Sequence, residues 1–298
     1  MTTVRFRTNA KVNLFLRVLG RRADGYHEIE TILQVIRLSD EIEVATTDTG
    51  RIEVAMSWVD GGSGTLPRED ENLIVRAATH LLESGASNDG VAVTVKKRIP
   101  IAAGLGGGSG NAAGALVVLS ELWGLGYERD RLRELAASIG SDVPFCIDGG
   151  TALATARGEK LTPLPSPETI WFVLGVTDEP MLTRNVYDAW DDLPVPDEVG
   201  SALMTLALGA GDVAEVASLL HNDLEPAVFL LRPELEKKKQ RLAEAGALGA
   251  CVSGSGPTIY GVAADEDHAR KLAAAVEDDF DRVIVTVSQA DCIERDLS

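Results

Sequence analysis

The stretch that most constrains this chain is a glycine-rich loop at residues 100–114, which runs directly into an apolar segment. Five of the seven residues from Gly104 to Gly110 are glycine, and an alanine-rich run follows over Asn111 to Trp123. Glycine has no Cβ, so its backbone adopts positive φ and lets a ligand approach closely. We expect Ser109 or Asn111 to cap the helix that begins here. Unpaired N–H groups at the positive end of a helix predict a phosphate site, whereas a flexible loop before a core helix is the simpler alternative.

Length and composition limit the class of protein. The chain has 298 residues, enough for two domains or for one large domain with two lobes. It contains no run of about 18 apolar residues, and residues 1–10 lack the apolar core of a signal peptide. We therefore expect a cytoplasmic protein that makes no use of a membrane. Its cysteines form no CxxC pair, which favours free thiols over a disulfide framework or a zinc site, and no metal ligands are predicted. They are Cys146, Cys251 and Cys292.

The charge balance argues against one class of partner. The formal net charge is −18, and the acidic residues are spread along the chain as expected of a solvated surface. Binding to nucleic acid through its phosphates needs a basic face, so no nucleic-acid partner is expected. Composition leaves open whether the acidity reflects adaptation to high salt. It also leaves open whether the protein is a monomer or a homodimer.

The order of the predicted elements mixes runs of strands with helices, without regular βαβ repetition, which predicts an α+β fold. A proline-rich connection marks the expected boundary between two domains, at residues 1–162 and 163–298. Strands are expected at residues 4–7 and 12–19, on either side of Asn9 to Lys11, and at residues 29–38 and 41–45. Helices are expected at residues 111–122 and, with a glycine-rich break, at residues 195–220.

Three familiar glycine-loop chemistries fit this chain poorly. A Walker loop ends in Gly-Lys-Ser/Thr, but no lysine occurs between Lys97 and Lys160. The dinucleotide-binding fingerprint matches only weakly, because Gly104-x-Gly106 is followed by further glycines. The HRD and DFG motifs of protein kinases are absent from the sequence.

The loop instead resembles the signature of the GHMP kinase superfamily, PxxxGLGSSA, in an expanded form that reads PIAAGLGGGSGNAA at residues 100–113. Other blocks agree with the family in order and position. They are AKVNL at residues 10–14, RRADGYHE at 21–28, GSDVP at 140–144 and GACVSGSGPT at 249–258. The resemblance covers nearly the whole chain, and four blocks in register are far more specific than any one of them.

The resemblance implies a two-lobed GHMP kinase fold with the active site in the cleft between the lobes. The N-terminal lobe would be of the ribosomal-protein-S5-like type and the C-terminal lobe an α/β sandwich. The implied activity is ATP-dependent phosphorylation of the 2-hydroxyl of 4-diphosphocytidyl-2-C-methyl-D-erythritol, in the non-mevalonate route to isopentenyl diphosphate. Mg²⁺ is expected with the nucleotide, because it bridges the ATP phosphates. A GHMP kinase for a mevalonate- or homoserine-type alcohol remains an alternative, as does a non-catalytic GHMP-fold binding protein.

Two residues take catalytic roles by this resemblance. Asp142 would accept or orient the proton of the attacking hydroxyl. Lys11 would pair with Asp142 and offset the charge of the γ-phosphate. From the residues alone, Asp142 fits equally well as an Asx-turn cap before Pro144, and Lys11 fits an ordinary solvated lysine.

The implied ATP-binding residues form the loop itself. They are Pro100, Ile101, Ala102, Ala103, Gly104, Leu105, Gly106, Gly107, Gly108, Ser109 and Gly110. Two features depart from the family pattern: Ala102 and Ala103 stand where glycines are common, and Gly110 replaces the second serine. A hydroxyl role in phosphate or metal binding would therefore fall to Ser109 or be absent.

The implied substrate-binding residues come from several segments. Tyr26 and His27 form an exposed aromatic pair that would hold the cytidine, although a turn anchored in the core by Tyr26 is the alternative. Tyr187 would supply a second aromatic wall. The remaining members of the set are Asn13, Thr183, Ser253 and Gly254, the last two in a Gly/Ser loop that could equally be a plain hairpin turn.

Overall fold

The computed structural model describes residues 2–59, 64–83, 90–167, 169–194 and 199–295. Within these ranges the strands are β1 (Thr3–Arg21), β2 (His27–Thr47), β3 (Ile52–Trp58), β4 (Gly90–Lys97), β5 (Thr151–Ala156), β6 (Lys160–Leu164), β7 (Trp171–Val176), β8 (His221–Asn222), β9 (Gly249–Val252), β10 (Ile259–Ala263), β11 (Arg282–Val287) and β12 (Ile293–Arg295). The α-helices are α1 (Leu73–Glu83), α2 (Gly107–Leu122), α3 (Arg129–Ile139), α4 (Val143–Asp148), α5 (Thr183–Asp191), α6 (Ala202–Ala210), α7 (Val213–Ser218), α8 (Glu225–Leu231), α9 (Pro233–Glu244) and α10 (Glu266–Ala275).

The strands form two sheets. The first has the order β12-β1-β2-β4-β3, with β5 paired to β2, β6 paired to β5, and β8 beside β1. The second has the order β11-β7-β10-β9. Pairing is mostly antiparallel and the helices follow no regular βαβ order, so the predicted α+β class is confirmed.

The first strand is longer than the sequence predicts. The expected break at Asn9 to Lys11 was wrong, because β1 runs through these residues without interruption. The register with β2 shifts between Asn9, which pairs with Ser39, and Ala10, which pairs with Ile36, so the two extra residues of this bulge are on β2. The two strands expected at residues 29–38 and 41–45 are likewise a single strand, β2, on the other side of that shift. Lys11 therefore lies inside a continuous, buried strand.

Four helices, α1 to α4, pack against the first sheet around one apolar core. The second of them, α2, is buried on almost every side, which matches its uniformly apolar sequence. A glycine makes this close approach possible: a Cβ at Gly114 would lie 2.4 Å from Cε2 of Phe6 on β1. Because α2 packs this closely on β1, the position of the glycine loop relative to the sheet is fixed.

Apolar residues of both sheets share a second core. Leu14 on β1 and Phe172 on β7 belong to it, together with Tyr260 on β10. The ring of Tyr260 meets that of Phe172 edge-on, with 5.8 Å between centroids, and its hydroxyl donates to the backbone oxygen of Asn13 at 2.7 Å. This contact ties the second sheet to the strand that carries Lys11.

The predicted boundary between residues 162 and 163 falls inside β6. Two short strands beyond it, β8 and β12, pair with β1, so the first sheet draws on both sides of that boundary. The helix expected over residues 195–220 is two helices, α6 and α7, separated by Gly211, whose positive φ of 72° ends α6. The first four residues of that expectation, 195–198, lie outside the described ranges.

Two further expectations concern the cysteines and the membrane. The three cysteines are free, as predicted, and the structure shows that all three are buried. Among the helices of the described residues, none has the length and apolarity needed to cross a bilayer.

Candidate active site

A single cleft brings the sequence-predicted segments together. Its volume is about 920 Å³, at the upper end of the range for small-molecule sites and large enough for two substrates. The glycine loop, the residues around Lys11, the turn at residues 24–27 and the first half of α5 all line it. Gly254 and Ser255 of the second Gly/Ser loop line it as well.

The glycine loop leads directly into α2. The helix begins at Gly107, and its N-cap is Gly106, with a positive φ of 69° and no side-chain cap. The expected capping by Ser109 or Asn111 was therefore wrong, because both residues lie inside the helix. By helix geometry the N–H groups of Gly107, Gly108 and Ser109 have no acceptor within α2. These donors and the helix dipole make the start of α2 an anion site.

Two glycines of the loop are required by close contacts. A Cβ at Gly104 would lie 2.0 Å from the backbone oxygen of Ser253, and one at Gly106 would lie 2.9 Å from Cγ of Lys11. Both glycines also have positive φ. The loop thus packs against both the second Gly/Ser loop and the stem of the lysine.

Lys11 and Asp142 meet at the edge of this loop. The Nζ atom of Lys11 lies 3.2 Å from Oδ2 of Asp142 and donates to Oδ1 of Asn13 at 2.7 Å and to the oxygen of Gly104 at 3.0 Å. Lys11 is only 5% exposed, so its interpretation as a solvated lysine was wrong. The side chain of Asp142 is 32% exposed and caps no N–H group of α4, which argues against the Asx-cap alternative.

Asn13 orients the lysine. Its Oδ1 accepts from Lys11, and its Nδ2 donates to Oγ1 of Thr31 at 2.9 Å. The hydroxyl of Thr31 in turn donates to the oxygen of Phe15 at 2.6 Å. Asn13 lines the cleft, but these two hydrogen bonds already fix its amide.

The aromatic end of the cleft differs in one respect from the expectation. Tyr26 is 55% exposed, and the guanidinium of Arg157 lies 5.1 Å from its ring centroid. The side chain of His27 is only 8% exposed, so the expectation of an exposed pair was wrong for this residue. Its ring stacks on that of Tyr187, with 4.6 Å between centroids. Tyr26 and Tyr187 are therefore the two rings available to a ligand in the cleft.

Tyr187, at the aromatic end, lies within electrostatic reach of Asp142. Burial, and secondarily the negative charge of Asp142, raises the pKa of the Tyr187 phenol above its ordinary value. The phenol stays protonated at any physiological pH and presents a hydroxyl rather than a charge.

The second Gly/Ser loop divides its residues between two roles. Ser253 is fully buried and donates to the oxygen of Gly104 at 2.9 Å, so its side chain braces the glycine loop instead of lining the cleft. Gly254 lines the cleft. Ser255 was missed by the sequence analysis, and its hydroxyl lies 2.9 Å from that of Thr183.

Comparison with known proteins agrees with this geometry. Residues 72–150 match the model for the GHMP kinases N terminal domain, and residues 204–282 match the model for GHMP kinases C terminal. A curated relative from Pelotomaculum thermopropionicum, named 4-diphosphocytidyl-2-C-methyl-D-erythritol kinase, is 43% identical over 93% of this chain and 95% of its own. The chain belongs to the GHMP kinase family. It is therefore a small-molecule kinase that uses ATP.

Solved structures agree with this family membership. A crystal structure of 4-(cytidine 5'-diphospho)-2C-methyl-D-erythritol kinase is similar with a TM-score of 0.77 and 33% identity, over 96% of this chain and 100% of the other. The homoserine kinase from Cytophaga hutchinsonii has the same TM-score at 21% identity, over 99% of this chain and 98% of its own, and so shares the fold. The resemblance found in the sequence is confirmed.

In this GHMP kinase, two predicted loop residues do not face the cleft. The side chain of Leu105 is buried in the apolar core, and its oxygen accepts from the backbone N–H of Lys11 at 2.9 Å. Gly110 is buried on the sheet side of α2, where a Cβ would lie 3.3 Å from the oxygen of Asn9. A serine at this position would thus direct its side chain toward β1.

The end of the cleft beyond the loop was not predicted from the sequence. Met56, Pro67, Asn72 and Leu73 line it beside the start of α2. Asn72 accepts the backbone N–H of Ile74 through Oδ1 at 2.9 Å and so caps α1. An asparagine before an apolar helical run is a recognised capping signal, and it could have located this part of the site.

A buried ion pair supports the loop from below. Lys97 pairs with Asp40, and Asp40 also accepts from the backbone N–H groups of Arg98 and Ile99, at 2.8 and 3.0 Å, and from Nδ2 of Asn111 at 2.9 Å. The lysine is buried, and it reaches the wall of the cleft under Gly107.

Proposed function

We propose that this kinase transfers the γ-phosphoryl group of ATP to the 2-hydroxyl of 4-diphosphocytidyl-2-C-methyl-D-erythritol. The observation that supports this proposal most directly is the position of the Lys11–Asp142 pair. It lies between an anion site at the start of α2 and an aromatic end lined by Tyr26 and Tyr187, all in one cleft. The name of the 43% identical relative agrees with this substrate.

The nucleotide is assigned to the glycine loop. Its phosphates would lie against the N–H groups of Gly107, Gly108 and Ser109, where the helix dipole favours negative charge. The base would then occupy the end of the cleft lined by Met56 and Asn72. Because the net charge of the chain is −18, the loop donors and Lys11 must hold the phosphates against an unfavourable overall field.

Asp142 is assigned the proton of the acceptor hydroxyl. Its carboxylate is partly exposed and has lone pairs left over from its contact with Lys11, so it can accept or orient that proton. The ammonium group of Lys11 lies beside it and would offset the charge that develops on the transferred group. Most of the rate in such a reaction comes from positioning and electrostatics, because the protein forms no covalent bond.

The cytidine is assigned to the aromatic end. Tyr26, with Arg157 over its ring, offers an exposed face on which a pyrimidine can stack. Tyr187 presents a second ring, held by His27 behind it. Nothing in mevalonate or homoserine requires such a pair of rings.

Mg²⁺ fits this site as an ion that arrives with the nucleotide. Among the described residues there is no cluster of three carboxylate, histidine or cysteine ligands. Mg²⁺ commonly takes only one or two protein oxygens and completes its shell with phosphates and water. The hydroxyl of Ser109 would be such an oxygen, and the ion would neutralise phosphate charge.

The test measures ADP release with three acceptors offered separately: the cytidylated methylerythritol, mevalonate and homoserine. We expect release with the first alone. Release with mevalonate or homoserine instead would assign the protein to another GHMP kinase activity. The absence of release with all three, while ATP still binds, would favour a non-catalytic protein.

A further inference from the structure

The imidazole of His27 is held on three sides by one helix. Tyr187 stacks on its face, and Trp190 meets it edge-on at 5.9 Å and 89°. Asp191, the last residue of α5, lies with Oδ1 2.7 Å from Nε2 of the ring. This ring therefore has a single defined orientation.

The carboxylate that holds the ring is itself anchored. Nη1 of Arg21, at the end of β1, lies 3.2 Å from the other oxygen of Asp191. An ionised carboxylate has no proton to donate, so the hydrogen bond with His27 requires a proton on Nε2. The nitrogen that carries the proton in a neutral imidazole is set by such a partner.

The consequence concerns Nδ1, the other ring nitrogen. Within the described part of the chain it has no hydrogen-bond partner, and it is not one of the polar atoms sealed from solvent. His27 lines the cleft, so Nδ1 is the polar atom that this side chain can offer to a ligand there. With the proton on Nε2, Nδ1 of the neutral ring is a hydrogen-bond acceptor.

We propose that Asp191 is a positioning residue that sets base selectivity through His27. The acceptor Nδ1 matches the exocyclic amino group of cytosine and repels the carbonyl oxygen that uracil has at the same position. The inference rests on the proposed function, because it deepens the recognition of the cytidine. Asp191 touches no reacting atom and acts only by fixing the proton and the orientation of the imidazole.

The first test needs neither substrate nor variant of Asp191. Two-bond ¹H–¹⁵N spectra of the protein near pH 8 report which nitrogen of each histidine carries the proton, and the signals of His27 are assigned by their loss in His27→Gln. We expect the proton of His27 on Nε2. A proton on Nδ1 in the intact protein would overturn the proposal, whatever the substrate proves to be.

The second test compares two acceptors that differ only in the base, cytidine or uridine, in Asp191→Ala and in the control Asp192→Ala. The control removes the same charge from the next residue, which is exposed. In Asp191→Ala we expect KM for the cytidine substrate to rise about tenfold, the usual effect of one lost hydrogen bond in a binding site. We expect kcat and KM for ATP to stay within about twofold, and the preference for cytidine to fall by a similar factor of about ten.

These outcomes separate the two proposals. If the wild type phosphorylates the cytidine substrate but Asp191→Ala keeps the wild-type preference, the role of Asp191 is wrong and the proposed function stands. If the wild type uses neither acceptor, the proposed function fails, and the spectra still decide the state of His27. Thermal unfolding of each variant shows whether a loss reflects an unfolded protein, in which case the spectra of the wild type decide.

Discussion

Two lysine–aspartate pairs flank the glycine loop, and they differ in how many partners the aspartate has. Asp40 accepts from Lys97, from two backbone N–H groups and from Asn111, in a fully buried site. Asp142 has Lys11 as its ion-pair partner and keeps a third of its side chain exposed. A carboxylate with every lone pair occupied cannot take a proton from a substrate, whereas one with free lone pairs can. The Lys97–Asp40 pair, the holding pair, supports the loop, and the Lys11–Asp142 pair, the acting pair, is the one to which we assign the chemistry.

Replacing the carboxylate of Asp142 should have the largest effect on turnover. In Asp142→Asn we expect turnover to fall about 10³- to 10⁴-fold, because proton acceptance is lost. Stability should change by less than about 1 kcal/mol, since the ion pair is partly exposed. ADP release gives the first quantity and thermal unfolding the second. Turnover within tenfold of the wild type would mean that Asp142 is not the group that handles the proton.

Removing its lysine should be the next most damaging change. In Lys11→Met we expect turnover to fall about 10²- to 10³-fold, the usual effect of deleting one group that stabilises developing charge. Unlike Asp142→Asn, this variant should also bind ATP more weakly, because Lys11 packs along Gly106 of the phosphate loop. Calorimetric titration with ATP distinguishes the two variants. Equal ATP affinity in the two variants would show that Lys11 contributes no more than Asp142 to the binding of ATP.

Substitutions in the Lys97–Asp40 pair should show the opposite pattern, because they should lower stability more than turnover. In Asp40→Asn we expect the free energy of unfolding to fall by about 3–5 kcal/mol, because the charge of Lys97 is left buried without its partner. Adding Lys97→Met should restore part of that loss, since neither charge then remains. Denaturant unfolding of Asp40→Asn, Lys97→Met and the double variant measures this. A loss in the double variant equal to the sum of the single losses would show that the pair is not coupled.

The smallest effect on turnover and stability is expected for a substitution at Gly110, where the loop residue faces the first sheet. Gly110→Ser restores the serine common in the family, but the new side chain would point to β1, on the side of the holding pair. We expect turnover within about twofold of the wild type and a change in stability of about 1 kcal/mol or less. A large gain in turnover would mean that a hydroxyl at this position reaches the phosphates.

The acting pair could be predicted from the sequence, and the holding pair could not. Lys11 and Asp142 stand in motifs with fixed neighbours, so a resemblance located both. Asp40 follows a strand in a run of polar and charged residues and looks like a solvated turn. Its burial depends on the bulge in β2, on β4 and on α2 meeting at one point, and no local pattern contains that information.

Local patterns also misplaced the ends of elements. The helix after the loop begins at Gly107 because tertiary contacts with Lys11 and Ile99 hold glycines in helical geometry that they would not adopt by propensity alone. The break expected in β1 failed for a similar reason, since pairing with β2 outweighs the polar character of Asn9 to Lys11. The aromatic end shows the same limit: Tyr187 was placed by resemblance, but its stacking on His27 needs the fold.

The pairing of β12 with β1 bears on how the molecule is made. Phe6, Arg7 and Thr8 pair with residues 293–295, and the N–H of Asn9 donates to the oxygen of Cys292 at 2.7 Å. On the ribosome this edge of β1 stays open until those late residues emerge, and an open strand edge invites pairing with other chains. Residues 6–8, in the strand that holds Lys11, therefore gain this strand partner only after nearly three hundred further residues have been synthesised.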